Sequence, residues 1–226
     1  MFLRNFLLKS KCLVCNRSSS ICICKGCSNQ FQSIPEPHCQ ICKSIEIVDN
    51  NCQECLRRPP LFSDLIVLGI YSGLLKSLIY NYKYEGIKEY SKPFADLLAK
   101  KISYSFTFKF DYITSVPIHH EKLKSRGFNQ ADLLARDVAK NLRINYLEIF
   151  DRSKETKAQF GLSGIEREKN IKDAFGIITN KNIKDKNILI VDDIFTTGST
   201  LQELSKLALD KGVNKLYLAT IARSIK

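Results

Sequence analysis

The chain has 226 residues, 35 Lys and Arg against 23 Asp and Glu, a formal net charge of +12 and 44% hydrophobic residues. At ~150 residues per domain this suits one medium domain with a small second module, and the apolar content excludes a disordered or collagen-like chain. The longest wholly apolar stretch, Leu65 to Tyr71, falls far short of the roughly 20 residues a membrane-spanning helix needs.

Residues 1–10 place Phe2, Leu3, Phe6, Leu7 and Leu8 at helical spacing, interrupted by Arg4 and Lys9. A short amphipathic helix is expected there. No small-residue cleavage site follows, so a cytoplasmic location is expected.

All nine cysteines lie between Cys12 and Cys55. Without a secretory signal, and with an odd number of thiols, a disulfide framework is disfavoured and reduced thiolates holding metal are expected. The spacing is specific: Cys12-x2-Cys15, Cys24-x2-Cys27, Cys39-x2-Cys42 and Cys52-x2-Cys55 are four knuckles. Two knuckles complete a tetrahedral four-sulfur shell at ~2.3 Å, the geometry of structural Zn2+. Eight cysteines suffice for two ions, with Cys22 spare or substituting for Cys24. Iron–sulfur ligation uses the same side chains, but repeated short knuckles in a small polar segment favour zinc ribbons. A segment this poor in large apolar side chains uses metal in place of a core, so the role is structural. His38 is expected to be a solvated turn residue.

Arg57-Arg58-Pro59-Pro60 reads as a linker, because consecutive prolines enter neither a helix nor a central strand. The expected organisation is a zinc-ribbon module over 1–58 and a larger domain over 61–226. Beyond the linker, strands and helices alternate. Leu65 to Tyr71 is a strand. Leu74, Leu75, Leu78, Ile79 and Tyr82 stripe one helix, and Phe94, Leu97, Leu98 and Ile102 another. Tyr112 to Val116 is the next strand, followed by a helix through Leu133, Leu134, Val138 and Leu142 and a short strand over Ile144 to Phe150. Ile188 to Val191 is a buried strand, Leu201 to Lys211 a helix, and Lys215 to Ile221 a closing strand. The fold class is therefore α/β, a parallel sheet flanked by helices.

The sharpest functional signal follows the Ile188 strand: Asp192-Asp193-Ile-Phe-Thr196-Thr197-Gly198-Ser199-Thr200. Ligands of open parallel sheets collect beyond the carboxyl ends of such strands. Thr196 to Thr200 supply hydroxyls and closely spaced N–H groups at a helix N-terminus, which favours a phosphate, and Gly198 lets the backbone bend against it. One phosphate cup with two carboxylates upstream suits a ribose 5-phosphate, the acids holding the vicinal hydroxyls. A G-x-x-x-x-G-K-[ST] loop and a G-x-G-x-x-G fingerprint are both absent.

The segment resembles the phosphoribosyl pyrophosphate signature of type I phosphoribosyltransferases. Nearly the whole chain resembles the ComF family (ComFC, GntX-like) of competence proteins, through the cysteine knuckles, Lys83-Tyr84, Val116-Pro117, Arg126-Gly127-Phe128-Asn129-Gln130, Gln159 with Arg167 and Asn170 leading to Ala174-Phe175, and the Asp192-Asp193 loop. The resemblance implies a type I phosphoribosyltransferase-like sheet, a role in DNA uptake during natural transformation and binding of single-stranded DNA. It implies Asp192 and Asp193 at the ribose, residues 196–200 at the 5′-phosphate, and Mg2+ carried with phosphoribosyl pyrophosphate; transfer onto an acceptor, releasing pyrophosphate, is the alternative activity. DNA-uptake channel or helicase proteins are the expected partners, and they would hold the protein beside the inner membrane.

Lys83, Arg126, Gln159 and Arg167 are candidates for pyrophosphate or DNA phosphate. Arg126 leads, because its planar fork grips phosphate bidentately. Asn129 suits an N-cap equally well, and His119-His120 is expected to be an exposed pair. Residues 151–172, polar and hinged by Gly161 and Gly164, fit a flap with Lys157, Gln159, Arg167 and Asn170 as its polar contacts, or a plain surface loop. For single-stranded DNA, Tyr80, Tyr82, Lys83, Tyr84 and Lys88 interleave rings with cations. Tyr104, Phe106, Phe108, Lys109 and Phe110 do so too, although their alternation favours a strand packed on the core.

Overall fold

The structure is a computed structural model, and it describes residues 11–108, 110–152 and 174–225. Its main sheet has five parallel strands in the order β1 (Asp64–Ile70), β7 (Lys215–Arg223), β6 (Asn187–Phe195), β2 (Tyr112–Ser115) and β3 (Asn145–Tyr146). A separate antiparallel pair joins β4 (Phe150–Asp151) to β5 (Gly176–Ile177). The expected strand over Ile144 to Phe150 is thus two short strands in different sheets. Leu147 N–H still bonds Ile113 O, after which the chain leaves the main sheet.

Helices α1 (Lys25–Ser28) and α2 (Gln53–Arg57) lie among the cysteines. Then come α3 (Gly73–Tyr84), a 3-10 turn at Lys88–Tyr90, α4 (Ser91–Ser105), α5 (His120–Arg126), α6 (Gln130–Leu142) and α7 (Ser199–Asp210). The apolar stripes read from the sequence are the buried faces: Leu75, Leu78, Ile79 and Tyr82 on α3, Phe94, Leu98 and Ile102 on α4, Leu134 and Val138 on α6. No helix among the described residues is long and apolar enough to cross a membrane.

Successive strand residues face opposite sides, which splits the core in two. Ile66, Leu189, Val191 and Ala219 pack with α3, α4, α6 and with Cys12, Ile23 and Cys27. Leu65, Val67, Ile188, Ile190 and Leu218 pack with α7 and with Cys39, Cys42, Cys52 and Cys55. Each half of the cysteine segment therefore plugs a different face of the sheet.

The rings after α4 do not form the expected strand. Phe106, Phe108 and Phe110 gather around Tyr217 with centroids 5.2 Å from it. Tyr104 lies in α4 and is 82% exposed. Clustering on Tyr217, rather than a ladder, accounts for the apolar alternation.

Gly69 of β1 is closed in by the cysteine segment: an added Cβ would sit 2.6 Å from Gln32 O, while Gln32 O accepts from Ile70 N–H at 2.7 Å. Gly69→Ala is expected to lower the unfolding free energy by about 1–3 kcal/mol, measured by urea denaturation, because backbone rather than a flexible side chain must yield.

Candidate functional site

The two groups of four cysteines are resolved into pairs of consecutive knuckles. Cys12, Cys15, Cys24 and Cys27 form one set, Cys39, Cys42, Cys52 and Cys55 the other, each with its sulfurs within 4.8 Å of one another. Sulfur–sulfur distances are 3.8 Å for Cys12–Cys27 and Cys15–Cys24, and 3.5 Å for Cys42–Cys52. Metal–sulfur bonds of ~2.3 Å in a tetrahedron give edges of about 3.8 Å, whereas disulfide sulfurs sit ~2.05 Å apart. All nine thiols are free. Burial, then the neighbouring thiols, raises Cys27 to about 12; Cys12 is drawn down to about 6 because N–H groups of Cys24, Cys15 and Val14 outweigh its burial. Crowded thiols split in this way fit a divalent cation, which lets all four ionise. Cys22 stands outside both sets, and His38 bonds Pro35 O and Glu36 instead.

The position of the second site follows from chain topology. From β2 the chain moves outward through α6 to β3, while from β6 it returns through α7 to β7. Their connections pack on opposite faces. Neighbouring strands whose connections diverge leave a crevice at their carboxyl ends. Here β2 stops at Ser115, opposite Val191, and β6 runs on to Asp192 and Asp193.

Asp193 Oδ1 is 2.8 Å from Lys83 Nζ, and both side chains are largely enclosed. Burial opposes the Lys83 charge, but Asp193 and then Asp192 raise its pKa above the ordinary lysine value. Asp192 Oδ1 accepts the Asp193 N–H at 2.8 Å. Its carboxyl keeps a little surface exposure yet is crowded by protein atoms; burial first, then the Asp193 charge, pushes it up to about 8 against the pull of Lys83. The acid pair with Lys83 is thus nearly neutral at pH 7, which suits hydroxyl groups better than a resident cation.

Beyond the acids, Gly198 caps α7 at φ 78° and lies against the Phe195 ring, where a Cβ would meet Cζ at 2.7 Å. Only glycine satisfies both conditions. Thr197 and Ser199 hydroxyls are 2.8 Å apart. Backbone N–H groups of Thr196, Thr197 and Gly198 have no partner among the described residues, and Thr196 and Thr197 are exposed.

Facing the acids is the loop after β2. The Asn129 side chain caps α6 through Ala131 N–H and latches the loop by donating to Val116 O at 3.1 Å. Arg126 donates to Gln130 Oε1, and the Gln130 amide donates to Lys83 O. Lys122 titrates below the ordinary lysine value, through burial and then the charges of Arg152, Arg126 and Lys83. Lys122 thus feels three neighbouring cations as well as Asp193, a grouping suited to an anion.

A family model described as "Phosphoribosyl transferase domain" matches residues 123–225. "Competence protein F" of Haemophilus influenzae is 33% identical over 95% of this chain and 97% of its own length. The chain belongs to the ComF family of competence proteins. "DNA utilization protein YhgH" of Escherichia coli K12 is 28% identical over 95% of this chain and 90% of its own length. "Competence protein ComFC" of Streptococcus pneumoniae is 24% identical, covering 92% and 90%.

In this ComF-family chain, the structure brings Asp192, Asp193, Thr196–Thr200, Lys83 and Arg126 to one end of the sheet. Gln159 and Arg167, with the proposed flap contacts Lys157 and Asn170, lie outside the described residues. Three readings change. Lys83 is engaged by Asp193 rather than standing open to a phosphate. Tyr82 is fully buried and donates its hydroxyl to Gln130 O, so it stacks on no base. His119 is buried as the N-cap of α5, where Nδ1 accepts Glu121 N–H. Arg152 and Arg223 were missed, since a single basic residue beside a strand end carries no pattern.

The Asp192 shift has a signed consequence. Asp193→Asn removes a like charge and leaves Lys83 uncompensated, so the Asp192 titration midpoint is expected to fall from about 8; Lys83→Met is expected to raise it. Carboxyl carbon NMR across pH 4–9 reads both shifts. Because this acid binds its proton more tightly folded than unfolded, wild type loses stability as pH rises through the interval from the ordinary aspartate value to about 8, and Asp192→Asn flattens that slope.

Proposed function

We propose that this protein binds a phosphoribosyl pyrophosphate-like ligand in the crevice between β2 and β6 and handles single-stranded DNA during natural transformation. The observation that carries the reading is the juxtaposition of the near-neutral acid pair with unpaired loop N–H groups on one side and several cations on the other. Residues 196–200 take the 5′-phosphate, Asp192 and Asp193 accept from the ribose hydroxyls, and Arg126, Lys122 and Arg152 face the pyrophosphate. Mg2+ arrives with that pyrophosphate and offsets its charge. Gln159 and Arg167 are proposed to join from the 151–172 segment. Zn2+ occupies both cysteine sets in a structural role. The phosphoribosyl transferase model and the names of the relatives support the ligand class and the DNA role respectively.

Tyr80 and Tyr84 form the stacking face for DNA. They lie one turn apart on α3, 51% and 58% exposed, with ring centroids 5.0 Å apart. The Arg126 guanidinium sits 5.0 Å from the Tyr84 centroid. Exposed rings beside a fixed guanidinium offer bases a stacking surface and phosphates a cation. Lys88, over Phe128 at 5.0 Å, extends the same edge. The protein acts in the cytoplasm, brought to the inner membrane by channel or helicase partners.

Calorimetric titration with magnesium phosphoribosyl pyrophosphate tests the pocket: wild type binds, and Asp192→Asn with Asp193→Asn binds at least about tenfold more weakly. Pyrophosphate release with candidate acceptors would extend the reading to a transferase. For DNA, Tyr84→Ala is expected to weaken oligo-dT binding by about 1–3 kcal/mol, and Arg126→Glu to flatten its salt dependence as well. Fluorescence anisotropy at two salt concentrations reads both. Unchanged affinity in Tyr84→Ala would remove this face from the DNA path.

A further inference from the structure

The last residue of β7, Arg223, spans two parts of the molecule that the proposed function treats separately. It is paired in register with Ile70 of β1 and Phe195 of β6, and its own carbonyl accepts Tyr71 N–H at 2.8 Å. Its backbone is therefore fixed from both sides. The side chain leaves the sheet toward the second cysteine set, where Nε donates to Cys42 O at 2.9 Å. Nη1, with two hydrogens, donates to Thr196 O and Ser224 O and lies 3.4 Å from Phe195 O. The guanidinium carbon lies 4.8 Å from the centre of the Phe195 ring, whose edge Gly198 abuts. Phe62 meets that ring edge-on at 6.1 Å.

These bonds have a directional consequence. In a trans peptide the C=O and the following N–H point opposite ways. Phe195 O is already held by the Ser224 N–H at 2.8 Å, whereas among the described residues Thr196 O accepts from Arg223 alone, so the Thr197 N–H faces away from the guanidinium. It is one of the unpartnered donors of the phosphate cup. On the other side, Cys42 O belongs to the second cysteine set, where a metal drawing the four sulfurs together would fix the backbone position. The Cys39, Cys42, Cys52, Cys55 set and the cup also flank one cleft of about 1250 Å3, lined by Gln53, Phe62, Thr197, Gln202 and Arg223 among others.

We propose that Arg223 is a positioning residue that makes the phosphate affinity of Thr196–Thr200 depend on metal in the Cys39, Cys42, Cys52, Cys55 centre, and not on metal in the first centre. The proposal rests on the cup taking a phosphate, but the coupling also has a reading without ligand. When the second centre loses its ion, Cys42 O is no longer held, Arg223 loses its outer anchor, and the Thr196–Thr197 peptide loses the bond that orients it. Linkage makes the effect reciprocal: a ligand that orders the cup retards metal loss from that centre.

The experiment uses full-length, zinc-loaded protein. Backbone 15N order parameters at residues 197–200 are measured in wild type, Cys55→Ser, Cys15→Ser, Arg223→Lys and Arg223→Gln. They are expected to fall from about 0.85 to below about 0.6 in Cys55→Ser and in both Arg223 variants, while Cys15→Ser leaves them unchanged. Arg223→Lys keeps the charge but not the fork, so its failure to rescue assigns the effect to geometry. Cys55→Ser with Arg223→Gln is expected to be no worse than either alone. Saturating phosphoribosyl pyrophosphate is expected to slow zinc release to a chromogenic chelator in wild type but not in Arg223→Gln, an arm that needs no cysteine variant to fold. Loop order parameters indifferent to Cys55→Ser or Arg223→Gln, or additive effects in the double variant, would overturn the coupling. Coupled order parameters in a protein whose wild type binds no phosphoribosyl pyrophosphate would uphold the coupling and refute the ligand instead.

Discussion

The ion pair between Lys83 and Asp193 is the contact on which the functional end of the sheet depends. Two adjacent carboxylates at the carboxyl end of a central strand lose hydration and repel one another, and burial first, then the Asp193 charge, pushes Asp192 up to about 8. Lys83 compensates one of them from the last turn of α3. Its placement is secured in turn by Tyr82, whose ring fills the core and whose hydroxyl bonds the backbone of Gln130. The Gln130 side chain then joins Lys83 O to Arg126. A removed partner would leave a charge stranded in a poorly hydrated place, which costs far more than the closed pair contributes.

Lys122 lies close to Arg152, Arg126 and Lys83; burial first, then these charges, lowers its pKa, and an incoming anion would relieve the repulsion. Arg126 also stacks on Tyr84 and so forms part of the aromatic edge as well. One guanidinium thus borders both the proposed phosphate pocket and the proposed DNA face, and ligands at the two would feel each other electrostatically.

The cysteine segment is integral to the sheet. Its first set packs with α3 and α4 on one face and its second with α7 on the other. Gln32 O bonds the backbone of β1, and Arg223 links Cys42 O of the second set to Thr196 O. A metal held by these cysteines would stand in for apolar area that a short polar segment lacks.

Much of this was legible beforehand, because it is local. Knuckle spacing is a property of a few consecutive residues, the stripes of α3, α4 and α6 follow helical period, and the Asp192 to Thr200 run carries its strand, turn and helix start in order. Tyr82 against Tyr80 and Tyr84 shows the boundary: all three are tyrosines on one helix, and only packing of α3 against Phe94 and Phe128 decides which ring is buried. The same holds for Lys83, whose partner is 110 residues away, and for His119, enclosed by a loop that looked polar. Short-range spacing carries the cysteine knuckles, the parallel α/β class and the Asp192 to Thr200 loop, since each lies within a few consecutive residues or one helical period. That consecutive knuckles pair, that Lys83 closes on Asp193 and that Arg223 joins a cysteine set to Thr196 O emerge from the folded chain alone, since each needs residues distant in sequence to meet across packed elements.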